Sequence, residues 1–161
     1  DYMNYLDDMI YRIYKELEIE AGRILPHTIC AKLNIILKSS IENSFHGYYE
    51  GVYYIVLNDT KTQQEQLYDF AHELGHFFLH EGNQFKSRQV YIDYQEKQAD
   101  NFAERFLVPL HALDVLDYTK SRMEMLYDVE QTFNVSIELA QKRLELYERT
   151  LYEQKLQSYC W

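Results

Sequence analysis

The sequence predicts an α+β fold, mainly helical, with a small and mostly antiparallel sheet packed beside the helix that carries an HExxH motif. Short β-branched and aromatic segments occur between residues 34 and 59, whereas most of the remaining chain has apolar residues at helical spacing. The resulting order of helix, helix, small sheet and then helices is typical of α+β folds. With only 5 Gly and 2 Pro in 161 residues, the composition also argues against a loop-rich β-sandwich.

The first 60 residues are predicted to form two helices, a strand and a hairpin. An amphipathic first helix is expected to stop at Gly22. Pro26 suits the first turn of a second helix that continues to about Leu33. The segment NIILKS then predicts a strand, and FHGYYEGVYYIVLND predicts a hairpin that turns at Glu50 and Gly51.

The rest of the chain is predicted to be helical. Thr62 and Glu65 form a capping box that opens a helix running to about His80. After a loop, a further helix is predicted from about Tyr94 until Pro109 prevents its continuation. The remaining residues, to about 157, have a helical pattern with breaks near residue 118 and at the segment FNVS.

Composition and charge narrow the classes of function. A formal charge of −10 without a basic patch makes binding to phosphates unfavourable. The N-terminal segment does not resemble a secretory signal, and no run approaches the roughly 18 apolar residues that cross a bilayer. Cys30 and Cys160 lie far apart, and two free thiols are expected rather than a disulfide. We therefore expect a soluble, cytoplasmic protein with no membrane segment and no direct nucleic-acid binding.

The segment YDFAHELGHFFLHEG places His72, Glu73 and His76 in an otherwise mostly apolar helix. At 100° per residue the two histidines lie about 40° and about 6 Å of rise apart, roughly opposite the apolar face. Two imidazoles at this separation can bind one zinc ion, and Glu73 projects where it can take a proton from the metal-bound water. The alternative is a pair of buried histidines whose rings hydrogen bond to backbone carbonyls.

A catalytic zinc needs a third protein ligand. His80 continues the helical series, but about 12 Å of rise separates it from His72 on a straight helix. The longer pattern HExxHxxGxxH is also incomplete, because Leu79 and Gly82 occupy its last Gly and His positions. We therefore expect His80 to lie at the surface or behind a ligand rather than on the metal.

Glu96 is the preferred third ligand. In the segment YQEKQADNFAERFLVP, Glu96 and Asp100 border the apolar face of a helix whose small alanines allow close approach to the HExxH helix. Asp100 is then placed to accept the free ring N–H of one ligand histidine. Glu104 and Glu81 are competing third ligands, and the alternative for Glu96 and Asp100 is that both are ordinary solvated charges.

The two motifs together resemble those of the ImmA/IrrE family of metallopeptidases. That family combines an HExxH helix with a helix reading E-x-x-A-[DN]-x-F-A and an apolar-Pro end. The resemblance covers roughly residues 28 to 109. All landmarks of the pattern are present: His72, Glu73, His76, Glu96, Ala99, Asp100, Phe102, Ala103 and Pro109.

The resemblance implies a gluzincin-like zinc peptidase in which His72, His76 and Glu96 bind Zn²⁺ and Glu73 is the general base. Members of the family are often encoded by phages and mobile elements beside a helix-turn-helix repressor, and some cleave that repressor. The implied partner is therefore a protein substrate, with a DNA-binding repressor as the candidate.

The resemblance leaves the oxyanion stabiliser and the substrate path less defined. Tyr91 and Tyr94 are the candidates for stabilising the oxyanion. The strand from Val52 to Leu57 is expected to present an edge to an extended substrate peptide, as gluzincins usually do.

The domain prediction is a metallopeptidase domain over residues 1–117 and a helical segment over 118–161 packed on the same domain. This segment is helix-turn-helix-like, with Ser136 as a helix N-cap, but its acidic residues favour packing or partner docking over DNA reading. The main alternative to a peptidase is a non-catalytic regulatory module that binds a repressor without cutting it. A DNA-binding regulator is disfavoured by the charge of −10.

Overall fold

The computed structural model describes residues 2–80 and 89–160. Two helices come first, α1 (Tyr2–Glu16) and α2 (Pro26–Leu33), followed by three strands, β1 (Ile35–Ser40), β2 (Phe45–Tyr49) and β3 (Val52–Asn58). Five helices follow: α3 (Gln63–His80), α4 (Gln89–Leu107), α5 (Leu110–Leu113), α6 (Arg122–Phe133) and α7 (Ile137–Tyr159). The sheet contacts α3 through β2 and β3. The predicted α+β class, mainly helical with a small sheet beside α3, is confirmed.

The strands form one mixed sheet in the order β1-β3-β2. β1 pairs with β3 in parallel and β2 pairs with β3 antiparallel, so the sheet has one pair of each kind rather than being mostly antiparallel. β1 and β2 therefore run in opposite directions but are not neighbours, because β3 lies between them. The expectation that residues 52–57 present an edge to a peptide is therefore wrong, because β1 and β2 occupy both edges of β3. β2 is the outer strand that contacts α3.

The hairpin turns at the predicted residues. Glu50 and Gly51 have φ values of 49° and 80°. Two consecutive positive φ values are those of a type I′ turn, whose twist matches that of the paired strands. The two-residue turn sets the register of β2 against β3 and places His46 opposite the buried Ile55.

Two predicted helix starts are confirmed by their caps. The Thr62 N–H donates to Glu65 Oε2 (2.9 Å), and the Glu65 N–H donates to Thr62 Oγ1 (3.2 Å), which completes the capping box of α3. At the start of α7, the Leu139 N–H donates to the Ser136 hydroxyl oxygen at 3.2 Å. These local bonds satisfy N–H groups that have no partner within the helix.

Two helix ends differ from the prediction. α1 ends at Glu16, and Glu18, at φ 55°, rather than Gly22 takes the left-handed conformation that terminates it. α4 begins at Gln89, five residues before the predicted start at Tyr94. Its first turns carry exposed side chains such as Ile92, so no apolar periodicity marks them in the sequence.

One hydrophobic core contains residues from α1 through α7. The apolar face predicted for α3 contributes the fully buried Phe70, Ala71 and Leu74, and α7 contributes Leu144 and Tyr147. The segment after residue 117 thus shares this core, and the division of the chain at 117 stays a prediction. Cys30 is a buried thiol and Cys160 an exposed one, with no disulfide between them. Within residues 2–80 and 89–160, no helix is both long and apolar enough to span a membrane.

Candidate metal centre

Three potential metal donors converge between α3 and α4. His72 Nε2 and His76 Nε2 lie 3.2 Å apart. The Glu96 carboxylate faces both nitrogens, with Oε2 at 3.0 Å from His72 Nε2 and Oε1 at 3.1 Å from His76 Nε2. Two donors bound to one zinc ion at 2.0–2.1 Å and at the tetrahedral angle lie about 3.3–3.4 Å apart. The three side chains therefore have nearly the spacing that a single tetrahedral ion requires.

Glu96 reaches this position because α3 and α4 pack unusually closely at Gly75. A Cβ atom added to Gly75 would lie 3.1 Å from Phe102 Cβ and 3.2 Å from Ala99 Cα. Both distances are shorter than ordinary van der Waals contacts, so only glycine fits without a displacement. Because Ala99 follows Glu96 by three residues, the same contact sets the distance of Glu96 from the histidines.

The ring of His72 is oriented by Asp100. Its Nδ1 lies 2.8 Å from Asp100 Oδ1, and the Tyr68 hydroxyl donates to the same oxygen at 3.0 Å. A carboxylate accepts hydrogen bonds, so Nδ1 carries the hydrogen. The lone pair on Nε2 then points toward His76 and Glu96, as a metal ligand requires.

The ring of His76 is oriented from behind by His80. His76 Nδ1 lies 3.0 Å from His80 Nδ1, and His80 Nε2 lies 2.8 Å from Oε1 of the Gln98 side-chain amide. Since His80 Nε2–H donates to Gln98, His80 Nδ1 accepts, and His76 Nδ1 must donate to it. His76 Nε2 then has a free lone pair with which it can bind a metal ion. His80 lies behind this ligand candidate and outside the donor group of the described residues.

Electrostatics keeps His76 neutral. Burial, followed by the charges of His46, His72 and His80, lowers the pKa of His76 to about 3. Burial also lowers the pKa of His80, against the opposing effect of its hydrogen bond to Gln98. A neutral imidazole is the form that binds a metal.

The donor set fits a divalent cation. With both tautomers set as described, two nitrogen lone pairs and a carboxylate face one another within 3.0–3.2 Å. Such an arrangement is favourable only when positive charge lies among the electron pairs. Imidazole nitrogen with carboxylate oxygen is also a donor combination found in catalytic zinc sites.

Glu73 lies beside this group, under β2. Its side chain is 9% exposed, and its Oε2 is hydrogen bonded to His46 Nδ1 from β2. The His46 ring stacks on that of His76, with centroids 4.5 Å apart. Sequence analysis missed His46, which belongs with Glu73 and His76 to a second group of potential donors among the described residues.

The comparison with protein families agrees with this geometry. Residues 32–145 match the peptidase M78 family model, which is described as an IrrE N-terminal-like domain. The match covers well over half of the 161 residues. The chain belongs to the peptidase M78 family. The predicted resemblance to ImmA/IrrE proteins is thereby confirmed.

Two relatives of this peptidase M78 chain come from Bacillus subtilis (strain 168). The phage-like element PBSX protein XkdA is 34% identical over 150 residues, which are 92% of this chain and 76% of XkdA. The uncharacterized protein YqaB is 33% identical over 149 residues, or 92% of this chain and 87% of YqaB. The similarity thus extends well beyond the two motifs, across most of each chain.

Among the described residues, the competing candidate Glu104 does not belong to the group of three donors. Glu104 forms an ion pair with Lys142 at 2.6 Å, and Glu81 lies outside the described residues. Tyr91 and Tyr94 are exposed on the first turns of α4, and their role at an oxyanion stays a prediction.

A cavity of about 430 Å³ adjoins the candidate metal centre of this peptidase M78 protein. His72, Glu73 and Glu96 line it, together with Ser44, Lys61 and Asp69. Asp69 Oδ2 links the last three residues, because it accepts from the Ser44 hydroxyl at 2.7 Å and pairs with Lys61 at 2.8 Å. Glu73 and two of the three ligand candidates therefore border the same cavity.

The register of the hairpin was the signal that could have revealed His46. A two-residue turn at Glu50 and Gly51 pairs position 46 with Ile55. Directly opposed residues of antiparallel strands point to the same face, and the alternation along β3 places Tyr53 and Leu57 on the face of Ile55. A histidine on that face points toward the HExxH helix rather than toward solvent.

Proposed function

We propose that this protein is a zinc-dependent metallopeptidase that cleaves a specific intracellular protein, with a helix-turn-helix repressor of a phage or mobile element as the candidate substrate. The observation that carries the proposal is the convergence of His72, His76 and Glu96 with Glu73 beside them. Membership of a peptidase family supports the reaction class. The name of XkdA, which assigns that relative to a phage-like element, supports the candidate substrate.

The proposed roles follow from the positions of the side chains. His72 Nε2, His76 Nε2 and the Glu96 carboxylate would hold the zinc ion, and Asp100 and His80 would keep the two rings in the ligating tautomers. When bound, zinc supplies a Lewis acid that polarises the scissile carbonyl and makes water more acidic. Three protein ligands leave one coordination position for the reaction, as in other catalytic sites.

Glu73 carries the proton transfers in this proposal. Its carboxylate accepts a proton from the water that attacks the scissile carbonyl carbon. It then donates that proton to the amide nitrogen as the carbon–nitrogen bond breaks, so that a carboxylate and an amine leave and Glu73 is regenerated. The Glu73 side chain is only 9% exposed, which keeps competing solvent away from its carboxylate.

The first test measures metal content. After dialysis against zinc and then against buffer, wild-type protein is expected to retain about one zinc per chain, and His72→Ala much less, because a three-ligand site loses one donor. His27→Ala is the matched control, since His27 is exposed on α2. Equal zinc in wild type and His72→Ala would refute the assigned site.

The second test measures peptide-bond cleavage without knowing the substrate. Zinc-loaded protein is incubated with a proteome-derived peptide library, and new termini are identified by mass spectrometry. Wild type is expected to generate sites that Glu73→Gln does not, because the amide cannot accept the proton. A purified helix-turn-helix repressor from the same mobile element is tested in parallel. A zinc-loaded wild type that binds this repressor tightly and cleaves neither it nor any library peptide would favour the non-catalytic module instead.

A further inference from the structure

We propose that His46 is the positioning residue for Glu73: its Nδ1–H donates to Glu73 Oε2 and holds the other carboxylate oxygen toward the attacking water. This inference rests on the proposed peptidase function. A residue of β2, which lies outside both sequence motifs, thereby takes part in the reaction. The evidence is the geometry of the strand, the ring contacts of His46 and the burial of its carboxylate partner.

The hairpin delivers His46 to Glu73 from the sheet. His46 is paired with Ile55 of the central strand, on the face that packs against α3. Its ring stacks on Tyr53 with an interplanar angle of 3° and on His76 with one of 25°. Contacts to two rings from different elements restrict the rotation of the imidazole, so Nδ1 is held at Glu73 rather than meeting it by chance.

The hydrogen bond has a definite direction. An ionised carboxylate only accepts, so the hydrogen lies on His46 Nδ1. Burying the Glu73 carboxylate, whose side chain is 9% exposed, costs free energy that this hydrogen bond partly offsets. The bond engages Oε2 and leaves Oε1 for water, so the general base is presented in one orientation.

The ring contacts also argue against His46 as a ligand of the same metal as His76. A ligand lone pair lies in the plane of its imidazole, so an ion shared by two rings must lie near both planes. The His46 and His76 planes are tilted by only 25°, with centroids 4.5 Å apart. The two ring planes therefore intersect much farther from the ring nitrogens than the roughly 2.0–2.1 Å of a zinc–imidazole bond. His72 and His76, at 72°, have planes that do converge.

Two substitutions separate the hydrogen bond from the bulk of the side chain. His46→Leu removes the donor, whereas His46→Asn keeps an N–H near the position of Nδ1. His27→Leu is the control for loss of an exposed histidine away from the site. Because His46 is 37% exposed, all three variants are expected to fold.

The measurements are zinc content, kinetics on the library peptide that wild type cleaves fastest, and the histidine long-range ¹H–¹⁵N spectrum of zinc-loaded protein. We expect His46→Leu to keep its zinc and its KM but to lose kcat by about 10- to 100-fold. His46→Asn should recover part of that loss and His27→Leu should match wild type. The signal of His46, assigned by its absence in His46→Asn, should show the hydrogen on Nδ1.

Several results would overturn the inference. A His46 ring without a hydrogen on Nδ1 would overturn it whether or not cleavage is observed. So would an unchanged kcat in His46→Leu, or a loss of zinc as large as that of His72→Ala, which would make His46 a ligand. These failures leave the contrast between wild type and Glu73→Gln intact. If that contrast is also absent, the proposed function fails together with the inference.

Discussion

Gly75→Ala is expected to weaken zinc binding, although alanine is the better helix former. Gly75 lies between His72 and His76 on α3, where α4 packs directly against the helix backbone. The added Cβ would lie 3.1 Å from both Phe102 Cβ and Phe102 Cδ1 and 3.2 Å from Ala99 Cα. The backbone of α4 cannot rotate away like a side chain, so α4 must move outward by a few tenths of an ångström and carry Glu96 with it.

Two opposing terms set the size of the effect on stability. Replacing glycine by alanine inside a helix raises the free energy of unfolding by about 1 kcal/mol. Overpacking by one carbon in a close-packed interior costs about 1–3 kcal/mol. The free energy of unfolding should therefore fall by up to about 2 kcal/mol. The effect on zinc is sharper, since a site must be held within about 0.5 Å of its productive geometry, and we expect about tenfold weaker binding.

The assay combines urea unfolding of the zinc-free protein, followed by circular dichroism, with competition against a chromophoric zinc chelator. Gly47→Ala is the matched control, because a Cβ added at Gly47 in β2 meets nothing within 4 Å. It should leave the zinc affinity unchanged. If Gly75→Ala is instead more stable by the full helix propensity and binds zinc like wild type, the close approach of α3 and α4 does not set the position of Glu96.

Three further predictions concern ring orientation, titration and thiol reactivity. Asp100→Ala should bind zinc about 10- to 100-fold more weakly, and Asp100→Asn less so because its amide oxygen still accepts from His72; equal losses would contradict the tautomer argument. The zinc-free protein should lose stability as pH falls from the ordinary His76 pKa of 6.5 toward its folded value of about 3. In this pH range the unfolded state binds the proton more readily than the folded state does, so the free energy of unfolding falls by up to about 1.4 kcal/mol per pH unit. His76→Gln should flatten this slope in urea titrations, and an unchanged slope would refute the assignment. Cys160 should react with a thiol reagent at pH 8 in the folded protein, whereas Cys30, whose burial raises its pKa to about 11, should react only on unfolding.

Local sequence signals predicted α3 and the part of α4 that carries Glu96. The capping box at Thr62 marks where α3 begins, because the cap is formed by residues three positions apart. The spacing of His72 and His76 is likewise a property of one helix and can be read without knowing the fold. Glu96 required a second step, the expectation that small alanines let α4 approach closely. Gly75 takes part in the same contact from α3.

Features that depend on contacts between distant segments were harder to predict. The position of β3 between β1 and β2 is decided by how the chain packs, and the alternation of apolar residues does not report it. The end of α1 at Glu16 depends on Glu18, a left-handed residue other than glycine, which sequence preferences disfavour. The first turns of α4 bury too little apolar surface to produce a periodic signal.

The residues of the candidate site also differ in whether local sequence signals or contacts between distant segments place them. The atoms proposed to hold the metal come from two helices with strong local signals, His72 and His76 from α3 and Glu96 from α4. The groups that orient the side chains of the site act across the fold, as Asp100 does for the ligand candidate His72 over 28 positions and His46 does for the proposed general base Glu73 over 27. A motif search finds the first kind because its spacing is imposed by the helix. Asp100 could still be predicted because it lies on the same helix as Glu96, whereas His46 follows only from strand register. Changes at His46, and at the helix contact of Gly75, therefore test the structure more severely than changes at the proposed metal-binding side chains.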